Sequence, residues 1–247
     1  MKSAGLDVGS RTIALVSLNG SEPVHRVVDT GINPLQRCKE LLSGIEYQRL
    51  VVTGYGRYLV TENIGGEAVT EIKAFAVGAR YLFPDCRTII DIGGQDSKVI
   101  LLSDEGTVLK FEMNDRCAAG TGKFLEVMAD TLEVDIGGLS KLALGAIRSV
   151  HINSLCTVFA GSEVVSLIAR GEDTGAIALG LIEAINERII NMVRRVGCRD
   201  RVVFAGGAAL NECLHRMLEK KLGVNLTVPA EPQIVGALGA AIIANNK

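Results

Sequence analysis

Two short segments of the sequence place an aspartate and a glycine between β-prone runs, a pattern typical of turns that bind phosphate and metal. The first segment contains Asp7 and Gly9, and the second contains Asp91 and Gly93, 84 positions further along the chain. A carboxylate at such a turn can hold Mg²⁺ through water, while the following backbone N–H groups face phosphate oxygens. One copy is a weak signal, because aspartates often end strands. Two matched copies predict two lobes that close on one nucleotide.

Two further features belong to the same chemistry. Gln95 and Asp96 follow the second turn, where a polar side chain can orient an attacking water or hold the water shell of a metal. Hydrogen bonding within the turn is an equally good interpretation of these two residues. Gly206 and Gly207 end a third buried run and open a helix, where an adenosine can lie. A plain loop between strand and helix has the same pattern.

The composition limits the class of protein. The chain has 247 residues, of which 48% are hydrophobic, enough for a sizeable core. Its 26 basic and 28 acidic residues are spread along the chain and form no basic stripe, which argues against nucleic-acid binding. No signal peptide and no apolar run of the roughly 20 residues needed for a membrane span are visible. We expect a soluble, cytoplasmic protein.

Alternating strand and helix patterns predict an α/β protein. Both halves follow the order strand, strand, strand, helix, strand, helix, with helical insertions in the second half. We predict a first lobe over 1–85 and a second lobe over 86–247, with a final helix that crosses back. The predicted helices cover residues 34–43, 67–82, 119–131, 139–147, 161–170, 173–196, 208–221 and 232–244.

Two of the six cysteines are candidate ligands. Cys117 and Cys156 are each predicted just before a helix, and a helix N-terminus favours thiolate. Isolated cysteines are more often buried thiols, and two ligands fall short of the four that an iron–sulfur cluster normally takes. A symmetric dimer supplies four on its two-fold axis. The remaining cysteines are interpreted as structural thiols without a helix-start setting: Cys38, Cys86, Cys198 and Cys213.

Several segments together resemble one protein family, the activator ATPases of 2-hydroxyacyl-CoA dehydratases. That family is related to the ATPase subunits of benzoyl-CoA reductase, and its fold is that of the actin-like ATPase superfamily. The resemblance covers nearly the whole chain, and NDRCAAGTG is its most distinctive stretch. The segments that carry it are GLDVGS, VVTGYGR, EIKAFAVGA, DIGGQDSKVI, NDRCAAGTGKFLE, CTVFAGSEV and FAGGAALN.

The resemblance implies an actin-like (ribonuclease H-like) fold, in which two duplicated lobes bind ATP or ADP with Mg²⁺ in a cleft. The first phosphate motif would be Asp7–Thr12, the second Asp91–Ser97 and the adenosine motif Ala205–Asn211. Asp7, Asp91, Gln95 and Asp96 would be catalytic. The implied cofactor-binding residues are Gly9, Ser10, Arg11, Thr12, Gly93, Gly94, Gly120, Gly122, Lys123, Gly206, Gly207, Asn211 and Gln233.

The resemblance also implies a homodimer with one [4Fe-4S] cluster, held by Cys117 and Cys156 of each copy. ATP hydrolysis would then drive low-potential electron transfer to a partner iron–sulfur dehydratase or reductase, of the 2-hydroxyacyl-CoA dehydratase or double-cubane type. Ferredoxin or flavodoxin would supply the electrons. Gly120 and Gly122 would let the following helix start approach the cluster, and their N–H groups would bond to its sulfur atoms.

The sequence departs from this family at three positions. Arg11 lies in the first phosphate motif and Ala14 follows it, where the family usually has a Ser/Thr-rich run ending in lysine, and Phe75 stands where histidine is common. Two rival functions share the fold. A small-molecule kinase would need an inserted substrate domain, for which the short first lobe shows no spare segment. A cluster-free, nucleotide-responsive interaction protein is the other rival.

Overall fold

The computed structural model describes residues 2–20, 23–153 and 156–246, so the outer limits of the predicted lobes, at 1 and 247, lie outside the described residues. The described chain forms two five-stranded sheets. The first sheet has the order β3-β2-β1-β4-β5, with β1 Ser3–Val8, β2 Thr12–Leu18, β3 Val24–Asp29, β4 Arg49–Thr53 and β5 Glu67–Ala68. The second has the order β10-β9-β6-β7-β8, with β6 Thr88–Ile92, β7 Ser97–Leu102, β8 Val108–Asn114, β9 Val202–Ala205 and β10 Leu226–Thr227.

The two sheets repeat one topology. In each, the first strand pairs antiparallel with the second and the second with the third, while the first pairs parallel with the fourth and the fourth with the fifth. The register also repeats, because Asp7 lies opposite Ala14 as Asp91 lies opposite Lys98. The predicted α/β fold with two duplicated lobes is therefore confirmed.

Helices cover the faces of both sheets. Those in the described residues are α1 Pro34–Leu42, α2 Arg57–Asn63, α3 Glu71–Leu82, α4 Gly122–Thr131, α5 Ile136–Gly145, α6 Thr157–Ala169, α7 Thr174–Val196, α8 Glu212–Leu222 and α9 Val235–Asn245. Several have polar N-caps, which satisfy free amide groups: the side chain of Asp173, for example, accepts from Ala176 N at 2.8 Å before α7. Helix α7 packs into the largest core, beneath β6 and β9.

Two helices join the sheets. Helix α3, which follows the first sheet in the chain, packs Phe75 and Ala79 against Ile89 and Ile100 of the second sheet. Helix α9, at the end of the chain, packs on β1, β2 and β4 of the first sheet and on α3. The predicted return of the last helix is thus confirmed. The lobe division near residue 85 stays a prediction, and α3 and α9 each pack across it.

Several predicted boundaries are wrong. Helix α2 begins at Arg57, although the glycines of Gly54-Tyr55-Gly56-Arg57 predict only a turn there, and α3 begins at Glu71 because 67–68 form β5. Helix α6 begins at 157 rather than 161. The predicted helix over 208–221 is two pieces, because Asn211 ends a short 3-10 turn and its side chain caps α8, accepting from Leu214 N at 3.0 Å. Among the described residues, no helix combines the length and apolar character that a membrane span requires.

Candidate active site

A cavity of about 790 Å³ lies between the two sheets and is lined by both predicted phosphate turns. Predicted site residues that line it are Asp7, Gly9, Ser10, Arg11, Thr12, Asp91, Gly93, Gly94, Gln95, Asp96, Gly122, Gly206, Gly207, Asn211 and Gln233. Its volume is in the range of small-molecule sites. Four predicted residues are not among its lining: Gly120, Lys123, Cys117 and Cys156.

The two phosphate turns have the same backbone geometry and touch each other across the cavity. Gly9 N donates to Thr12 O at 3.0 Å, and Gly93 N donates to Asp96 O at 2.9 Å. A Cβ atom placed on Gly94 would lie 2.7 Å from Arg11 Cβ. A side chain at 94 would therefore push the two turns apart.

Each aspartate is also approached by a glycine at the end of a parallel strand. Gly54 follows β4 with φ +88°, and Gly206 follows β9 with φ +84°, values that favour glycine. A Cβ atom at Gly54 would lie 2.6 Å from Asp7 Oδ1, and one at Gly206 would lie 2.5 Å from Asp91 Oδ1. These glycines leave the carboxylates free to face the cavity.

A buried lysine joins three carboxylates at the second turn. Lys98 Nζ lies 2.6 Å from Asp96 Oδ2, 2.8 Å from Glu71 Oε2 and 3.0 Å from Asp91 Oδ2, although its side chain is only 2% exposed. The ammonium also lies 5.5 Å from the centroid of the Phe75 ring. Because a buried cation needs close anionic partners, this arrangement fixes both aspartates of the second turn.

The electrostatic surroundings of the two aspartates differ. Burial, followed by the nearby charge of Glu71, raises the pKa of Asp7 to about 8, with Lys98 acting in the opposite direction. Burial also raises the pKa of Asp91, but Lys98 offsets part of this effect and the value is about 6. Burial alone would lower the pKa of Lys98, and the charges of Asp91, Asp96 and Glu71 outweigh it and raise that pKa.

One carboxylate oxygen is suited to bind a cation. Asp91 Oδ1 is buried and has no hydrogen-bond partner among the described residues. Mg²⁺ usually uses one or two carboxylates and completes its shell with water and substrate phosphates. In the described part of the chain, no group of three or more His, Cys, Asp or Glu side chains could hold a metal without such help. The donor set therefore fits Mg²⁺ brought with a phosphorylated ligand.

The cavity residues that the sequence interpretation missed include three charged ones that form ion pairs: Glu71, Lys98 and Glu126. Glu71 and Glu126 come from helices far along the chain from the turns they meet. Arg57 Nη1 lies 3.8 Å from Glu71 Oε1 and donates to Gly54 O at 2.9 Å, so it belongs to the cavity wall. A signal for Lys98 was present, since a lone lysine in the apolar run SKVILL has to find buried anions.

The third glycine turn closes the cavity on one side. Gly206 N donates to Pro232 O at 3.0 Å, which brings Gln233 beside Gly207. Asn211 is 4% exposed and its amide Nδ2 has no partner among the described residues. These groups form the part of the cavity that the sequence assigned to adenosine.

Helix α4 starts directly on the second phosphate turn. Gly122 N and Lys123 N donate to Gly93 O and Gly94 O, both at 2.8 Å. Ser97 Oγ, on β7, donates to Gly120 O at 2.5 Å. Gly120 and Lys123 thus contact the turn through their backbones, and a movement of the turn must move the start of α4.

The cysteine loop, residues 115–121, lies between β8 and α4. The prediction that Cys117 directly precedes a helix is wrong: α4 begins at Gly122, because Gly120 has φ +88° and Thr121 is the N-cap. Asn114 Nδ2 instead holds the loop, donating to Cys117 O at 2.9 Å and to Ala119 O at 3.1 Å. The Cys117 side chain is partly exposed.

Cys156 is the N-cap of α6, which confirms its predicted place before a helix, and its side chain is exposed. Glu163 of α6 accepts from Asn153 N at 3.0 Å, which ties the preceding segment to the helix. Among the other cysteines, Cys38, Cys86 and Cys213 are buried and Cys198 is exposed. Burial raises the pKa of each of the three buried thiols to about 11. Cys213 lies in the first turn of α8, so the expectation that it lacks a helix-start setting is wrong.

The two duplicated sheets around one cavity define the actin-like fold class, and comparison with known proteins shows which ATPase family within it. Residues 3–244 match the model of the BadF/BadG/BcrA/BcrD ATPase family, and the chain belongs to this family.

Its similarity to characterised members extends over the full length. The (R)-2-hydroxyglutaryl-CoA dehydratase activating ATPase of Acidaminococcus fermentans is 40% identical, over 98% of this chain and 96% of the relative. The crystal structure of component A of the A. fermentans (R)-2-hydroxyglutaryl-CoA dehydratase superposes with a TM-score of 0.91 at 39% identity, over 100% of this chain and 98% of the other. The structure of the activator of 2-hydroxyisocaproyl-CoA dehydratase from Clostridium difficile, with bound ADPNP, superposes with a TM-score of 0.92 at 38% identity. The match covers 100% of this chain and 95% of the other.

Proposed function

We propose that this protein is an ATP-dependent activator that passes low-potential electrons to an iron–sulfur dehydratase or reductase. Two copies would share one [4Fe-4S] cluster, and ferredoxin or flavodoxin would supply the electrons in the cytoplasm. The observation that carries this proposal is the direct bonding of α4 to the second phosphate turn, with the cysteine loop immediately before it. The names of the relatives, which activate dehydratases, support the choice of partner.

The cavity residues have distinct roles in this proposal. Bound Mg²⁺–ATP would supply a phosphoryl group for transfer to water. Asp91, with its unpartnered Oδ1, and Asp96 would hold the cation and its water shell. Lys98 keeps both carboxylates in place, and Gln95, whose exposed side chain lines the cavity, would orient a water. Other backbone amides of the two turns would face the phosphates.

The cluster ligands would be the thiols of Cys117 and Cys156, both of which a second copy can reach. Cys117 is partly exposed and Cys156 is exposed, whereas three of the other four cysteines are buried. The outer face of α6, directly after Cys156, exposes four apolar side chains, which favour burial against another surface. They are Val158, Phe159, Val165 and Ile168.

Anaerobic reconstitution with iron and sulfide tests the cluster. We expect about four irons per two chains, a brown colour and hydrolysis of ATP. Cys117→Ser and Cys156→Ser should each lose the cluster and still bind ADPNP, because neither thiol lines the cavity. Cys198→Ser, which alters another exposed thiol, is the matched control and should keep the cluster.

The same experiment separates the rival functions. A colourless dimer after reconstitution would contradict the activator and favour a cluster-free regulator. Phosphorylation of a small molecule by iron-free protein would favour a kinase. A full cluster in either cysteine variant would overturn the ligand assignment alone.

A further inference from the structure

One ion pair connects the first phosphate turn to the helix that carries the cysteine loop. Arg11 Nε lies 2.7 Å from Glu126 Oε1, and both side chains line the cavity. Arg11 belongs to the turn between β1 and β2, and Glu126 belongs to α4. The pair therefore crosses the cleft, from one lobe to the other.

The position of Arg11 gives its guanidinium two possible anionic partners. Its Cβ lies beside Gly94 of the second turn, so the side chain extends over the place where the two turns meet. The Arg11 side chain is 58% exposed and that of Glu126 is 18% exposed. A half-exposed ion pair is weak, whereas a guanidinium binds phosphate oxygens through strong, charge-assisted hydrogen bonds. A phosphate in the cavity can therefore compete with Glu126.

We propose that Arg11 is a phosphate-responsive positioning residue, which exchanges Glu126 for a phosphate group of the bound nucleotide. The exchange releases α4 from the first lobe. Helix α4 follows the cysteine loop and begins at Gly122, whose N–H donates to Gly93 O of the second phosphate turn. Release of α4 from the first lobe therefore frees the helix that follows Cys117. The proposal rests on nucleotide binding in the cavity, as in the proposed function.

Competition for one guanidinium predicts a specific pattern of affinities. Glu126→Gln should tighten ADPNP binding by about two- to fivefold, because Arg11 no longer has to leave an ion pair. Arg11→Gln should weaken it by about tenfold. When Arg11→Gln is already present, adding Glu126→Gln should not change the ADPNP affinity further. The guanidinium for which Glu126 and the phosphate compete is then missing.

Calorimetric titration of the full chain with ADPNP and Mg²⁺ measures these affinities. Arg148→Gln breaks the ion pair with Glu172, which has similar exposure and does not line the cavity, and should leave the affinity unchanged. Adenosine, which has no phosphate, should bind all variants equally.

Two results would overturn the inference. If Glu126→Gln leaves ADPNP affinity unchanged or weakens it, competition is excluded. If the tightening by Glu126→Gln persists in the Arg11→Gln background, its cause is simple repulsion between Glu126 and phosphate. If the unaltered chain binds no ADPNP, the proposed function fails as well; if it binds and the variants behave otherwise than expected, only the inference fails.

Discussion

The two phosphate turns have nearly identical backbones and different charges. Gly9 and Gly93 make the same hydrogen bond, and Gly54 and Gly206 approach the two aspartates in the same way. The strand register that places Lys98 opposite Asp91 places Ala14 opposite Asp7. The two turns thus share one backbone geometry, but only the second has a buried lysine, Lys98, opposite its aspartate. The second turn is suited to hold a cation, and the first carries Arg11 towards α4.

The largest effect is expected from removal of the lysine that distinguishes the second turn. Lys98→Met leaves Asp91, Asp96 and Glu71 without their shared cation, and breaking a buried ion pair costs about 3–5 kcal/mol. Denaturant unfolding should show a loss of this size. Lys123→Met, which breaks an exposed pair with Glu126, should cost less than about 1 kcal/mol. Equal losses would show that the buried cluster contributes nothing specific.

The shared geometry predicts equal effects from the two strand-end glycines. Gly54→Ala and Gly206→Ala each combine positive φ with a clash against an aspartate, and each should lower the free energy of unfolding by about 2–4 kcal/mol. Gly31→Ala, with φ +62° and open space around it, should cost only about 1 kcal/mol. If only one of the two strand-end variants is destabilised, the lobes are less alike than their backbones suggest.

The charge difference predicts a pH dependence due to Asp7. Its pKa is 3.8 in the unfolded chain and about 8 in the folded chain, so the native state holds the proton more tightly. The free energy of unfolding should therefore fall as the pH rises between these values, by up to about 1.4 kcal/mol per pH unit.

Asp7→Asn should remove this slope above about pH 6, since the amide does not titrate, and thermal unfolding between about pH 6.5 and pH 8 measures it. Below about pH 6 the raised pKa of Asp91 adds a slope of its own. Asp104→Asn is the control, because Arg87 holds the pKa of Asp104 below its ordinary value and it does not titrate in this range. A slope that survives in Asp7→Asn would assign the pH dependence to another group.

The smallest effect is expected when the first turn is made to resemble the second. Ala14→Lys places an ammonium opposite Asp7, and Ala14 lines the cavity, which offers room for the longer side chain. The added positive charge should lower the pKa of Asp7 and so narrow the pH range over which the free energy of unfolding falls, while stability at neutral pH changes by about 1 kcal/mol. An unchanged pH range would mean that the lysine does not reach Asp7.

The sequence predicted the features that are local and repeated. The Asp-x-Gly turns, the two-lobe topology and the returning last helix follow from motif spacing and strand patterns. The ion pairs across the cavity could not be predicted in this way. Glu71 meets Lys98, and Glu126 meets Arg11, only after the lobes pack. The start of α4 was predicted at 119, before its observed start at Gly122. The alanines at 118–119 favour a helix, but the positive φ of Gly120 prevents one there.

The two duplicated turns line one cavity, where we propose that they serve a single nucleotide. Calorimetric titration of the anaerobically prepared protein with ADPNP and Mg²⁺ tests it most directly through the stoichiometry. We predict one ADPNP bound per chain. Two ADPNP per chain, one for each turn, or no binding at all would contradict the account.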